Sequence, residues 1–371
     1  MSHIVIVGGG FAGVWSAAAA ARVRGDGAAL RITVVTPDED LVLRPRLHRL
    51  DPQASRVPLR RVLAPVGVEH LRAKVTEIDP ERSRVVAGGR AVGYDRLVLA
   101  SGSRLVRPGL PGAERLFDVD TAEGTARLAA RLAGLGRFTA VVVGAGFTGL
   151  EVATELAGRG DVVLVERAGV VGPELGPEPR PAIESALAEL GVKVRLGVGL
   201  SAVDDREAVL TDGGRVPADV VVWTAGVRAS ALTAQIPAAR DELGRLEVDR
   251  RLRVSGNVFA AGDVAAAEAD AGRRVLQCCQ HAIPMGKVAG HNAAADLLGL
   301  PLTDFAPDPY VTCLDLGAAG AVTTTGWDRR IRLTGVEAKE VKDRILGLIH
   351  PPVDDAKLIL EAAGTPGTGV R

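Results

Sequence analysis

Cysteine is scarce in this chain: three in 371 residues, two of them adjacent at Cys278 and Cys279, too few for a disulfide framework. So thiol-poor a sequence is expected in a reducing compartment. Aromatic residues make up only 3%, and 45 basic residues balance 45 acidic ones. That balance leaves no basic footprint for nucleic acid or an anionic membrane. No apolar run approaches the roughly 18 residues of a membrane span, and the chain opens directly on a strand rather than on a charged leader. A cytoplasmic protein, without a nucleic-acid partner and without membrane contact, is the expectation. Metal-ligand spacing, HExxH and a nucleophile elbow are all missing, so metal and hydrolase chemistry are poor fits.

Glycine and small apolar residues are plentiful: Gly numbers 45 and the hydrophobic share is 47%, which suits an α/β enzyme with many tight turns. The run Ile4 to Val7 drops into a glycine turn and emerges as the alanine-rich segment Val14 to Ala21. Gly8, Gly10 and Gly13 give the GxGxxG spacing, with Phe11 and Ala12 between them. The three glycines serve a tight turn, close backbone approach to a pyrophosphate, and close helix-on-strand packing. The phosphates would meet free N–H groups at a helix N-terminus. The same pattern recurs at Gly144, Gly146 and Gly149, with Phe147 and Thr148 inside it and Glu151 just beyond. Two copies in one chain predict two dinucleotide sites and electron passage between them.

Leu30 to Val35 reads as the second strand of the first unit and ends at Thr36, where an Asp or Glu usually holds a ribose. Thr36 is assigned that role as a weaker clamp, the alternative being a plain strand-ending turn. The basic segment Leu43 to His48, with Arg44 and Pro45, either wraps over the first cofactor or forms a surface loop. Val68 to Ile78, which contains Val75, and Arg84 to Val92 look like a strand pair covering the adenine side of the first cofactor. Ala100, Ser101 and Gly102 end an apolar strand with side chains small enough to pass close to phosphates, though Ser-Gly is also an ordinary turn. In the second unit the helix is expected over Gly149 to Ala157, and Val162 to Val165 ends at Glu166, near the spacing expected of a ribose-binding carboxylate. Such a group favours NADH over NADPH, although Arg167 beside it blunts the preference. Ala225 and Gly226 repeat the strand-then-small-residue pattern, and Gly262-Asp263 closes a third such strand. A helix is expected over Gln280 to Leu297. Strands follow over Tyr310 to Leu316 and Gly320 to Thr324, then an amphipathic segment from Lys339 to Ile349, a short helix and a fraying Gly/Thr-rich end.

These motifs, in this order, resemble the pyridine nucleotide-disulfide oxidoreductase superfamily. Within it the chain looks most like the type II NADH dehydrogenases and their short actinobacterial relatives. The resemblance implies an α/β fold of two Rossmann-like domains plus a small α+β C-terminal domain. FAD would occupy a discontinuous domain, residues 1–121 and 247–304; an inserted domain, 122–246, would take NADH, with NADPH second. Residues 305–371 would complete the chain and could support a homodimer. The superfamily's disulfide reductases carry a CxxC or CxxxxC pair beside the flavin, and this chain has neither. Cys278 and Cys279 read mainly as small residues packed at a helix entry, a redox role near the flavin being the alternative, and Cys313 as a core residue.

By the same resemblance Glu151 points toward the nicotinamide–flavin contact, its bland alternative being a carboxylate favoured by the helix dipole. Gln280, His281 and Ala282, followed by Gly286, resemble a quinone-site helix, so Gln280 and His281 become candidates to bond the flavin or a quinone oxygen. Pro284-Met285 stands where that helix is expected to carry a second glutamine. The expected reaction is hydride transfer from NADH to FAD and onward to a quinone-like or other small acceptor. A reductase of a small electron-transfer protein, a biosynthetic tailoring enzyme and a slowly turning-over regulatory flavoprotein are the alternatives.

Overall fold

The computed structural model describes residues 1–364, so the Gly/Thr-rich end expected to fray lies outside the described residues. The first sheet has six strands in the order Arg253–Ser255, Val258–Ala260, Arg96–Leu99, Ser2–Val7, Leu30–Thr36 and Glu69–Arg72. All neighbours are parallel except the outermost pair, Arg253–Ser255 with Val258–Ala260. Ile4, Val5, Ile6, Leu97, Leu99 and Phe259 have essentially no exposure. Their unbroken apolar runs are what a strand covered on both faces requires, and each buried side chain contributes about 1.5–3 kcal/mol. Because Val258–Ala260 pairs with Arg96–Leu99, the later half of the chain completes the sheet that the first residues begin.

One face of that sheet is covered by the helix Phe11–Arg24, with the helix Cys279–Leu298 lying across it. Small residues let the two backbones nearly touch. A Cβ on Gly286 would sit 2.4 Å from the Ala12 carbonyl oxygen, and one on Gly290 2.0 Å from that of Ser16. The Ser16 hydroxyl, which also donates within its own helix, reaches the Gly286 carbonyl across this crossing at 3.0 Å.

A second parallel sheet, in the order Lys193–Leu196, Asp161–Glu166, Thr139–Val143 and Val220–Trp223, carries the helix Phe147–Ala157. The two units are also stitched by an antiparallel pair, Ser103–Leu105 with Val227–Ala229. Several expectations change. The segment from Val68 to Ile78 is not one strand: Glu69–Arg72 joins the edge of the first parallel sheet, while Val75–Asp79 pairs with Arg84–Ala87. The stretch from Arg84 to Val92 is likewise two strands, Arg84–Ala87 and Arg90–Gly93, which makes a three-stranded meander. The chain breaks at Ala73-Lys74, where the Ala73 N–H still bonds Thr36 and the Lys74 carbonyl already serves Gly88. At the other end, a third antiparallel strand, Arg330–Thr334, follows Val311–Asp315 and Ala321–Thr325. The amphipathic segment expected from Lys339 is the later part of a longer helix, Gly335–Leu348, and the short helix is Ala356–Gly364. No helix among the described residues is long and apolar enough to cross a membrane.

Candidate active site

The two glycine turns are built alike. Gly8 has φ +120° and Gly144 φ +105°, backbone that a side chain rarely tolerates. A Cβ on Gly8 would meet the Ala100 carbonyl oxygen at 2.2 Å. Gly13 and Gly149 press on the carbonyls of Gly8 and Gly144, where a Cβ would stand 1.9 and 1.7 Å away. The middle glycines differ. Nothing lies within 4 Å of a Cβ on Gly10, so the turn and the free N–H groups of the first helix face open space. Beside them the Ser101 hydroxyl is buried without a partner among the described residues. An open cradle, a helix N-terminus and an orphaned donor together fit the pyrophosphate of a bound dinucleotide. At the second turn the Glu174 carboxylate stands against Gly146 and accepts the Phe147 N–H at 2.9 Å.

Both helix N-termini open into one cavity of about 920 Å³. Of the residues singled out from sequence, Gly10, Phe11, Ala12, Arg44, Pro45, Ala100, Gly102, Phe147, Thr148, Glu151, Gly262, Asp263, Gln280 and Ala282 line it. Gly8, Gly13, Gly144, Gly146, Gly149, Ser101, Ala225 and Gly226 stand behind that lining, in or near the turns. Val75 lies apart, buried in the meander. Thr36 is also away from the lining: its buried hydroxyl accepts the Asp38 N–H at 3.4 Å, beside Gly9. Glu166 holds the Ala145 and Ala168 N–H groups, each at 2.7 Å, at the strand end next to the second turn.

Basic segment 43–48 contributes a 3₁₀ turn, Arg44–Arg49, to the cavity wall. The Arg44 guanidinium pairs with Asp120 and lies 3.8 Å from Asp263, which accepts the Ser103 hydroxyl. Gly262, at φ +74°, lets this strand end approach Ala12, where a Cβ would come within 2.8 Å of the alanine methyl.

Glu151 is neither solvent-facing nor a simple helix-start carboxylate. It is 5% exposed, accepts Lys342 Nζ at 2.6 Å and the Asp315 N–H at 3.1 Å, and has His48 Nδ1 at 3.5 Å. Lys342, itself 4% exposed, also donates to the Cys313 carbonyl at 2.9 Å. Burial works against its ammonium, but the Glu151 carboxylate more than offsets that and raises its pKa. Asp315 accepts from Lys339 and Arg49 and faces His48. Burial disfavours its charge, yet His48 and Lys339 hold its carboxyl well below the ordinary range. Neither Lys342 nor Asp315 was singled out from sequence; the one usable signal was that a buried Glu151 demands a cation.

Gln280 lines the cavity, but both ends of its amide are engaged, donating to the Pro309 carbonyl at 3.3 Å and accepting the Val311 N–H at 3.2 Å. His281 lies outside the lining. Its Nδ1 accepts the Leu276 N–H at 3.0 Å, and its ring stacks on Tyr310, with centroids 5.1 Å apart. Burial pushes its pKa down to about 4, so at neutral pH the ring is an uncharged imidazole and not an imidazolium acid. The geometry makes Gln280 part of the wall and sets His281 behind it. Burial also pushes the Cys278 thiol up to about 12 and the Cys279 thiol up to about 11, and both are free. Cys313 is buried with its thiol against the Ala338 carbonyl.

The sequence pattern of the pyridine nucleotide-disulphide oxidoreductases matches residues 2–286. An "NADH dehydrogenase-like protein" of Mycobacterium tuberculosis is 46% identical over 394 aligned positions, covering 99% of this chain and 98% of that one. A "demethylphylloquinone reductase" of Synechocystis is 27% identical over 86% of each chain. Among solved structures, the sulfide:quinone oxidoreductase of Aquifex aeolicus superposes with a TM-score of 0.78 at 21% identity, over 94% of this chain and 90% of that one, a likeness of fold. The chain therefore belongs to the pyridine nucleotide-disulphide oxidoreductase family, and within it is similar to the NADH dehydrogenase-like members.

Proposed function

We propose that this protein oxidises NADH, binding FAD at the first glycine turn and NADH at the second, and reduces a quinone-type small molecule. The observation that carries the reading is one cavity reached by both helix N-termini, Gly10 to Ala12 on one side and Phe147 to Glu151 on the other. Two dinucleotides exchange electrons only where their reactive rings meet, and a shared cavity is where fixed orientation can be imposed. Bound FAD would supply a two-electron centre between nicotinamide and acceptor. The chain's own residues bind and orient. The N–H groups around Phe11 would hold the flavin nucleotide's pyrophosphate; at the second turn the nicotinamide nucleotide's pyrophosphate would displace Glu174 from the Phe147 N–H, and Glu166 would serve its ribose, favouring NADH. Asp263, held by Ser103 and near Arg44, presents a carboxylate beside the first turn.

Lys342 holds a proton at Nζ on the cavity wall, and Glu151 keeps it charged, so it presents a fixed positive charge to that wall. Ile345, Leu346 and Ile349 line the same wall and exclude water from it. Cys278 and Cys279 keep their protons at neutral pH, so a dithiol relay forms no part of the reading. A cytoplasmic setting and a homodimer complete the proposal.

An anaerobic titration of the purified protein with NADH, and separately with NADPH, tests it. The flavin band bleaches with NADH at lower concentration than with NADPH and recovers on adding menadione. Bleaching without recovery removes the quinone; a protein purified without flavin removes the proposal.

A further inference from the structure

One cation on the cavity wall has no counter-ion among the described residues. Arg329 sits at the tip of the hairpin joining Ala321–Thr325 to Arg330–Thr334, and a hairpin tip is ordinarily solvated. Here it turns inward: Arg329 is 6% exposed and lines the cavity together with Trp327. Arginine is almost never buried unless paired. No carboxylate among the described residues forms an ion pair with this one, and its Nη1 is buried without a hydrogen-bond partner. The neighbouring Asp328 is taken by Arg330. What the guanidinium does have is a platform. It lies 4.4 Å over the Tyr310 ring, which stacks on Trp327 at 5.3 Å and on His281 at 5.1 Å. The stack holds the planar fork in place, which lowers the cost of ordering it around an oxyanion.

Desolvating a cation without an anion is costly, and a ligand that brings the anion recovers that cost on binding. We propose that Arg329 is the anion-recognition point of the acceptor site, pairing with a carboxylate or similar oxyanion on a planar acceptor that lies beside Tyr310 and Trp327. The inference rests on the reading of this cavity as the site of electron transfer to a small acceptor, and it makes that acceptor acidic. The nucleotide is the rival source of negative charge. Gly176, on the loop that carries Glu174, lies so close that a Cβ there would be 3.4 Å from Arg329 Cγ. The test therefore separates the two half-reactions.

The probes are 1,4-naphthoquinone and its 2-sulfonate, reduced by the holoenzyme with NADH, for the parent, Arg329→Met and Arg329→Lys. The methionine variant loses about 10- to 100-fold more kcat/KM on the sulfonate than on the uncharged quinone, the factor expected for one charge-assisted hydrogen-bonded contact. The lysine variant, which keeps the charge without the fork, falls between. Independently of turnover, the sulfonate raises the melting temperature of the parent and not of Arg329→Met. Equal losses on both quinones overturn the proposal. So does a loss confined to flavin bleaching by NADH in stopped flow, which assigns the guanidinium to the nucleotide. A parent that bleaches with NADH but reduces neither quinone overturns the underlying reading, and the proposal falls with it.

Discussion

Replacing Lys342 by methionine should loosen the C-terminal sheet from the second glycine-turn helix. The substitution keeps the aliphatic length and removes the ammonium that donates to Glu151 at 2.6 Å and to the Cys313 carbonyl at 2.9 Å. Glu151 then stays buried, at 5% exposure, with only the Asp315 N–H and nearby His48 to face its charge. Breaking a buried pair from one side costs about 3–5 kcal/mol. The surviving Asp315 contact puts this case near the lower end, about 3 kcal/mol, or roughly 100-fold in a local opening equilibrium. Hydrogen exchange followed by mass spectrometry reads that opening on Val311–Asp315 without assuming that the whole chain unfolds in one step. The double variant Glu151→Gln, Lys342→Met removes both charges and should recover most of the protection. Unchanged exchange in Lys342→Met, or a double variant worse than the sum of the singles, would refute the view that this pair fastens the sheet.

Gly290→Ala would place a methyl 2.0 Å from the Ser16 carbonyl oxygen, so the two crossing helices must separate at a cost of about 1–3 kcal/mol. Its purified protein should melt lower and hold less flavin; full occupancy at the parental melting temperature would contradict the close crossing. His281 titrates near 4 in the folded chain against an ordinary 6.5. The unfolded chain therefore binds the proton first, and stability complete above about pH 6.5 falls by roughly 2–3 kcal/mol as pH drops toward 4. Denaturant titrations across that window should show the loss in the parent and a flatter profile in His281→Gln. Glu174→Gln removes a negative charge from the mouth of the second turn and should tighten NADH by about 2- to 5-fold; weaker binding in an equilibrium titration would reverse the inference.

How much of this was legible beforehand follows sequence distance. The glycine turns were visible because strand, turn and helix lie within a dozen residues and each glycine has its own steric reason. The helix Cys279–Leu298 also matched expectation within a residue at either end, despite Pro284 inside it. The segment after Val68 was misjudged because apolar alternation does not say which neighbour a strand will choose, and Glu69–Arg72 chose Leu30–Thr36 over its own hairpin. The cavity's chemistry was hardest to read. Glu151 finds its cation 191 residues later in the chain, on a helix whose pattern announced only amphipathicity. Gln280 and His281 were singled out by resemblance to a quinone-site helix, yet the Gln280 amide is spent on Pro309 and Val311 and the His281 Nδ1 on Leu276. Arg329 sits in a turn, where sequence alone reads an arginine as solvated.

The pairing of Val258–Ala260 with Arg96–Leu99 also sets an order of events on the ribosome. The four-stranded sheet has all its strands once Trp223 has emerged, whereas the sheet begun by Ser2–Val7 waits for Val258–Ala260 and for the helix that crosses at Gly290. Domains commonly fold in the order of their synthesis; here the stretch made first is finished after the unit inserted into it. Its exposed apolar strands must be kept from other chains during that delay. Nascent chains arrested between these two points should resist protease over residues 139–223 while the first strands are still cleaved.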